Sequence, residues 1–533
     1  MTEVFLRVLD YLPRSKSRLL ISKKDINTSM APYVMGREQD WNELMFLMES
    51  ETAHLVRNLY IPGHYDRQQI QKLIWFLRKR GMEHFDKLTM KINLVHTVLR
   101  NLGPSYLDSL EYDVSSTNET DAMTFPAFTR DIKMYRGVIQ NLPDRIVNLS
   151  LKYVEIPDSV MEAIGTAKFL ATLHLEGDNI VLRGLPQFLE KLEMISCRNL
   201  SFGEKPNYNY HCEYLTHLEY TVSSGQREIF IFPEALVSSM ITSLTHLSIR
   251  KDFITTEDSF PPFLDKLGEL EELRLTGVYV GNHPLPASIK ILTITSSCRG
   301  IRSRELNPLP ALTELNIPYT NEFVPIMTDI LQTSPHLTSL NVGCKQVPRM
   351  TSIRPFLDPE VSPPSGIFPQ VKIFRSYSFF TARRFFSWAP NNIVYRLFPN
   401  LTTIEWYGDE FEWKADFPEK KFYMRTNSWL TNLITVPLEH TQFEKFHFVF
   451  TGQYTSNQHK ANLPLTTTEV TLTFEGYKGD PEAGIYLHKE GSLVTVEYDI
   501  PRIQKQEKIE SLQTITLELS TLSDMIYTGI QLK

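Results

Sequence analysis

The chain has 533 residues, 42% hydrophobic and 22% charged, with a net charge of −7. That is the composition of an ordinary soluble globular chain. The mild acidic balance, with a pI near 6.1, excludes the broad basic footprint of a nucleic-acid-binding protein. Four cysteines, Cys197, Cys212, Cys298 and Cys344, form no CxxC pair and are too few for a disulfide framework. They are expected as buried free thiols in a reducing compartment.

In chain order, residues 1–50 are expected as short helices. Thr2 caps a first helix carrying Val4, Phe5, Val8, Leu9 and Leu12, and Pro13 stops it. A second apolar cluster follows at Leu19, Leu20 and Ile21, then polar residues, then Trp41. Glu3, Arg7 and Asp10 interrupt the apolar stretch, so no secretion signal is expected. No apolar run approaches the ~18 residues of a membrane span. The expected location is intracellular, cytoplasmic or nuclear.

From about residue 51 onward a repeat organises the chain. Apolar residues recur at i, i+3 and i+5, first as Val56/Leu59/Ile61, Phe85/Leu88/Met90 and Leu107/Leu110/Tyr112. Between the first two units, Ile70, Leu73, Ile74 and Leu77 share one face of a predicted helix, with Asp66 and Gly81 as its caps. Ile146/Leu149/Leu151 follows. The clearest run comes next, with first anchors at Leu170, Leu189, Leu215, Leu244, Leu270, Ile289, Leu312 and Leu337. Their spacings are 19, 26, 29, 26, 19, 23 and 25 residues, close to the period of leucine-rich repeats. Residues two apart share one face of a strand, so the last two anchors point into a core. The return segments are expected as helices in the longer repeats, including 321–333, and as irregular turns in the shorter ones. Asp158 is the expected N-cap of a looser helix carrying Val160, Ile164 and Phe169.

The predicted fold is an α/β leucine-rich-repeat solenoid over residues 51–533. A parallel sheet lines its inside, helices and irregular segments its convex side, and a short all-α segment precedes it. Lys345–Pro369 holds six prolines and reads as an inserted loop. Later units are expected at Leu401/Ile404/Trp406, Phe443/Phe446/Phe448, Leu493/Val496/Tyr498 and Leu512/Ile515/Leu517, with a weaker one at Val371/Phe374. Residues 451–463 and 476–484 read as loops. The triplets beginning at Asn148 and Asn400 fall on expected buried strands and are read as chance rather than glycan acceptors.

No nucleotide, metalloprotease, hydrolase or zinc motif is present, and the 14 histidines are scattered. No enzyme activity, cofactor or metal is expected. What remains is the concave face. It offers His174, Glu193, Glu219, Ser248, Arg274, Thr293, Asn316, Asn341, Glu405 and His447, a mixed polar row suited to a protein partner. Within it His174, Glu219, Arg274, Asn316 and Asn341 are the expected contacts. Arg274 is the best single anchor, because its planar fork can pair with a carboxylate.

The N-terminal pattern, EVFLRVLDYLPRSKSRLL followed by Trp41, resembles an F-box, and an F-box-like start before leucine-rich repeats is similar to the divergent F-box/leucine-rich-repeat proteins of fungi. The opening leucine-proline of that motif and its usual tryptophan after the second helix are absent. The resemblance implies a substrate receptor of a cullin–RING ubiquitin ligase. Val8, Leu9, Leu12, Pro13, Leu19 and Leu20 would meet a Skp-type adaptor, and the solenoid would hold a protein substrate. The alternative reading is a leucine-rich-repeat scaffold for protein–protein interaction, with residues 1–50 serving only as the cap that an exposed terminal repeat requires.

Overall fold

The structure is a computed structural model. It describes most of residues 129–222, 232–251, 263–278, 284–295, 307–318, 322–342, 365–376, 396–407, 411–427 and 443–451, together with the isolated strands and the helix named below. The helical and F-box readings of residues 1–50 lie outside the described residues, as does most of the proline-rich segment. The chain divides into two units, Met1–Leu270 and Glu271–Lys533.

In the first unit the strands are β1 (Asn58–Ile61), β2 (His84–Met90), β3 (Tyr106–Asp113), β4 (Ala122–Met123), β5 (Asp131–Ile139) and β6 (Asn148–Glu155). They continue as β7 (Thr172–Asp178), β8 (Val181–Leu182), β9 (Lys191–Arg198), β10 (Ser201–Phe202), β11 (His217–Val222) and β12 (His246–Lys251). The main ladder runs β1–β2–β3–β5–β6–β7–β9–β11–β12, and every pairing recorded in it is parallel. The register is that of the repeat: Leu149, Leu173, Leu192, Leu218 and Leu247 lie side by side, all buried. Among the described residues three helices serve as returns: α1 (Arg67–Lys79), α2 (Asp158–Gly165) and α3 (Glu234–Ser243). In α1, Ile70, Leu73, Ile74 and Leu77 are buried, as their spacing requires.

Several expectations need correction here. Asp158 is the first residue of α2, and Pro157 occupies the cap position. A carboxylate in the first turn still complements the helix dipole. Phe169 lies beyond that helix and is 58% exposed. The 26-residue repeat after Leu189 carries the short strand β10, paired in parallel with β8, rather than a helix. A repeat missed in the sequence is built on β5, where Ile132 and Met134 are buried and Thr129, also buried, occupies the first anchor position. Its hydroxyl in place of a leucine hid the pattern.

The second unit begins with β13 (Glu272–Thr276), β14 (Ile291–Ile294), β15 (Glu314–Ile317), β16 (Ser339–Val342), β17 (Ile373–Ser376) and β18 (Thr403–Tyr407). These pair in parallel in that order. The helix α4 (Phe323–Thr333) backs them and buries Phe323, Met327, Ile330 and Leu331, as predicted. The weak unit at Val371/Phe374 is a full member, with both side chains buried.

Beyond β18 the parallel expectation fails. Strands β19 (Phe411–Asp416) and β20 (Lys421–Asn427) run antiparallel to their predecessors. Then β21 (Lys445–Thr451) and β23 (Glu469–Glu475) return to parallel pairing. The unit at Leu512 forms β26 (Leu512–Glu518), which runs antiparallel along β23. The unit at Leu493 is not in this ladder. It forms β25 (Leu493–Asp499) in a separate antiparallel sheet with β22 (Asn462–Leu463), β24 (Gly484–Glu490) and β27 (Thr528–Gln531). For β19 and β20 the physical reason is connection length. Parallel strands need a crossover of about a dozen residues, and only three residues separate β18 from β19.

One backbone device recurs in both units. The residue after the first anchor is often threonine, and its hydroxyl donates to a carbonyl one repeat back. Thr216 donates to Glu190 O at 3.2 Å, Thr245 to Thr216 O at 3.1 Å, Thr313 to Lys290 O at 3.0 Å and Thr402 to Lys372 O at 3.0 Å. These bonds fix the entry of each strand to its neighbour.

Candidate protein-interaction face

The alternation that buries the anchors turns the intervening residues to the open face of each ladder. In the first unit the register places Ser150, His174, Glu193, Glu219 and Ser248 in one row across five strands. His174 and Glu219 thus belong to one row, separated by Glu193. The His174 Nδ1 and Glu193 Oε2 are 2.7 Å apart, and Lys191 Nζ lies 2.7 Å from Glu193 Oε1. The hydrogen bond from His174, opposed by partial burial and reinforced by Lys191, pulls the Glu193 carboxyl down to about 2. One row toward the strand starts, the His217 and His246 rings stack at 4.0 Å and 9°.

At the strand ends a column of left-handed residues crosses four consecutive repeats: Arg136 (φ 63°), Tyr153 (φ 54°), Gly177 (φ 149°) and Ser196 (φ 50°). The registers put Arg136 beside Tyr153 and make β9 one residue longer than β7 at this level. The extra residue makes a β-bulge in β9, while the left-handed residues of β5, β6 and β7 stand side by side in unbroken register. Here they present Tyr153, 46% exposed, edge-on to Tyr135 at 5.7 Å, with the Arg136 guanidinium 5.3 Å from the Tyr135 ring. A hydrogen bond to Glu176, with burial second, pushes the Tyr153 hydroxyl up to about 12. The column was invisible in the sequence, since three of its four members are not glycine.

In the second unit the row reads Arg274, Thr293, Asn316, Asn341, Arg375, Glu405, Lys414. Asn316 and Asn341 touch: Asn341 Nδ2 donates to Asn316 Oδ1 at 2.7 Å and to Glu314 Oε1 at 2.9 Å. Asn341 is only 1% exposed. Arg375 Nε donates to Glu405 Oε2 at 2.7 Å and its Nη1 to Ser339 Oγ at 2.9 Å. Lys414 Nζ sits 3.2 Å from the other Glu405 oxygen. This is a hydrogen-bonded plate of small and ionic groups, half sunk among its neighbours. Arg375 was missed because the anchors of its repeat are irregular. Arg274 is 44% exposed at its side chain, but its Nε donates to Glu272 of the same strand. Burial and Lys421 lower the His447 ring below its usual value.

Cys197, Cys212 and Cys298 are buried free thiols. Burial pushes Cys197 and Cys212 up to about 12. Asn148 and Asn400 are exposed rather than buried, and their amides donate to Asp131 and to Pro369 O. Among the described residues no group of three or more His, Cys, Asp or Glu is placed to hold a metal, and no helix is long and apolar enough to cross a membrane. Val8, Leu9, Leu12, Pro13, Leu19 and Leu20 lie outside the described residues.

No protein-family model matches the chain, and no curated protein matches it. Among solved structures, a protein described as CroV588, a novel circular LRR protein, is similar at 16% identity and a TM-score of 0.29. The match covers 74% of this chain and 60% of that one, so the chain spans less than two thirds of that protein's length. At that TM-score the likeness adds nothing to the strand pairings. Those pairings, with one short parallel strand per repeat and a buried leucine row, are what make the fold an α/β leucine-rich-repeat ladder.

Proposed function

We propose that this protein is a non-catalytic scaffold that holds a partner protein on the open face of its parallel ladders. The observation that carries the reading is the register: polar side chains from successive repeats stand in rows fixed by backbone pairing. Such an array on a rigid support offers many modest contacts around a few stronger ones. Tyr135, Arg136 and Tyr153 supply the residue types that dominate binding energy at interfaces. The mixed charge of the rows fits a folded protein surface better than a polyanion.

A narrower reading makes the scaffold an intracellular substrate receptor of a cullin–RING ligase. It is supported by the F-box-like residues of the first 50 positions. Capture of a Skp-type adaptor by wild type, lost in Leu9→Asp/Leu12→Asp, would sustain it, and no capture by wild type would end it. The broader reading is tested by comparing partners captured by wild type, by Tyr153→Ala and Arg274→Ala, and by Glu204→Arg on an exposed turn away from the rows. Loss in the open-face variants with retention in Glu204→Arg is the expected result. Undiminished capture by both open-face variants would contradict it.

A further inference from the structure

A second surface lies outside the open-face rows. The residue just before the first anchor sits at the same level in each repeat, and in three successive repeats of the first unit it is aromatic: Phe169, Phe188 and Tyr214. The registers Thr172↔Lys191 and Lys191↔His217 put these three in line. They are 58%, 49% and 50% exposed, and Phe188 and Tyr214 stack at 5.6 Å and 23°. Three half-exposed rings present on the order of 300 Å² of apolar surface, the lower end of the size range of the largest, often functional, patch on a monomer.

The charges beside this row are ordered. Preceding each ring is Lys168, Gln187 or Glu213, so the row is basic at one end, neutral in the middle and acidic at the other. Gln187 Nε2 donates to Glu213 Oε1 at 3.1 Å and holds that carboxylate on the row. A two-fold axis through Phe188 reverses the row against itself. It sets Phe169 on Tyr214 of the other copy, Phe188 on Phe188, and Lys168 on Glu213 of the other copy, twice over. An isologous contact needs this self-complementarity.

We infer that the Phe169–Phe188–Tyr214 row is the centre of a homodimer contact, with the Lys168–Glu213 pairs setting its antiparallel register. The apolar row is smaller than the ~800 Å² per partner of a stable interface, so the dimer is transient. Glu190, exposed two residues after Phe188, faces itself across the axis and weakens the contact further.

Sedimentation equilibrium on the full chain tests the inference. Wild type should move from 61.8 kDa toward twice that mass at ~100 µM and above. Phe188→Ser/Tyr214→Ser should weaken association at least about tenfold with an unchanged circular dichroism spectrum, as removal of central anchors does. Lys168→Glu alone and Glu213→Lys alone should each weaken it about fivefold, and the double exchange should restore it. Wild type that stays at 61.8 kDa throughout would overturn the proposal. So would association that persists in the aromatic variant, or single reversals that the double exchange does not rescue.

Discussion

The two units use the same anchor pattern with different results. In the first, every strand pairing among the described residues is parallel. In the second, parallel order holds from β13 to β18, and two antiparallel pairs, two parallel pairs and a further antiparallel pair follow. Leu–x–x–Leu–x–Leu states only which residues face a core. It carries no information on strand direction, which the short connections on either side of β19 decide there. The core chemistry changes with it, from leucine rows to Phe422, Phe443 and Phe446, whose rings lie 5.8–6.2 Å apart.

The comparison is broken most severely by a charge in the leucine row. Leu173 in the first unit and Leu273 in the second are both 0% exposed. Leu173→Asp or Leu273→Asp should cost several kcal/mol and abolish soluble expression. Recovery of either variant as a cooperatively melting protein would show that the rows are not a packed core.

The next effect separates the left-handed column of the first unit from ordinary surface. Gly177 sits at φ 149°, and a Cβ there would come within 3.4 Å of the Tyr153 Cα, whereas a Cβ on Gly268 would meet nothing within 4 Å. Gly177→Ala should lose roughly 1–2 kcal/mol. Gly268→Ala should be neutral or gain about 0.5 kcal/mol by stiffening the unfolded chain. Urea midpoints that rank the two variants the other way round would refute the strain.

The smallest effect is electrostatic. Glu193 is held at about 2 by His174 and Lys191, against about 4.3 for a free glutamate. A carboxyl depressed in the folded state stabilises the fold above its unfolded value, and that contribution is lost as pH falls through its folded value. Wild type should therefore lose stability faster than Glu193→Gln between about pH 4.5 and 2. Parallel curves for the two proteins would mean that the His174–Glu193 pair contributes nothing.

What the sequence disclosed follows from the same physics. Leucine rows, α1 and α4 were legible because apolar periodicity reports burial directly. The open-face residues His174, Glu219, Arg274, Asn316 and Asn341 were legible as intervening positions. Their contacts were not, since the burial of Asn341 depends on Glu314 and Asn316 from the preceding strand. The repeat at β5 was hidden by Thr129, and the left-handed column by Arg136, Tyr153 and Ser196, whose types do not announce a left-handed backbone. The hairpin β24–β25 did leave a signal. Only Gly491 and Ser492 separate its strands, and a glycine-led pair between two strand-like runs is a sequence signal for antiparallel neighbours.

The central claim, that a partner lies on the open face, is tested most directly by cross-linking the captured complex with an amine-reactive reagent and mapping the lysines joined to the partner. Lys133, Lys152 and Lys191 stand in the open-face rows of the first unit. Lys205 and Lys266 lie in return segments away from them. Cross-links concentrated on Lys133, Lys152 and Lys191 are the predicted result, and cross-links concentrated on Lys205 and Lys266 would contradict it.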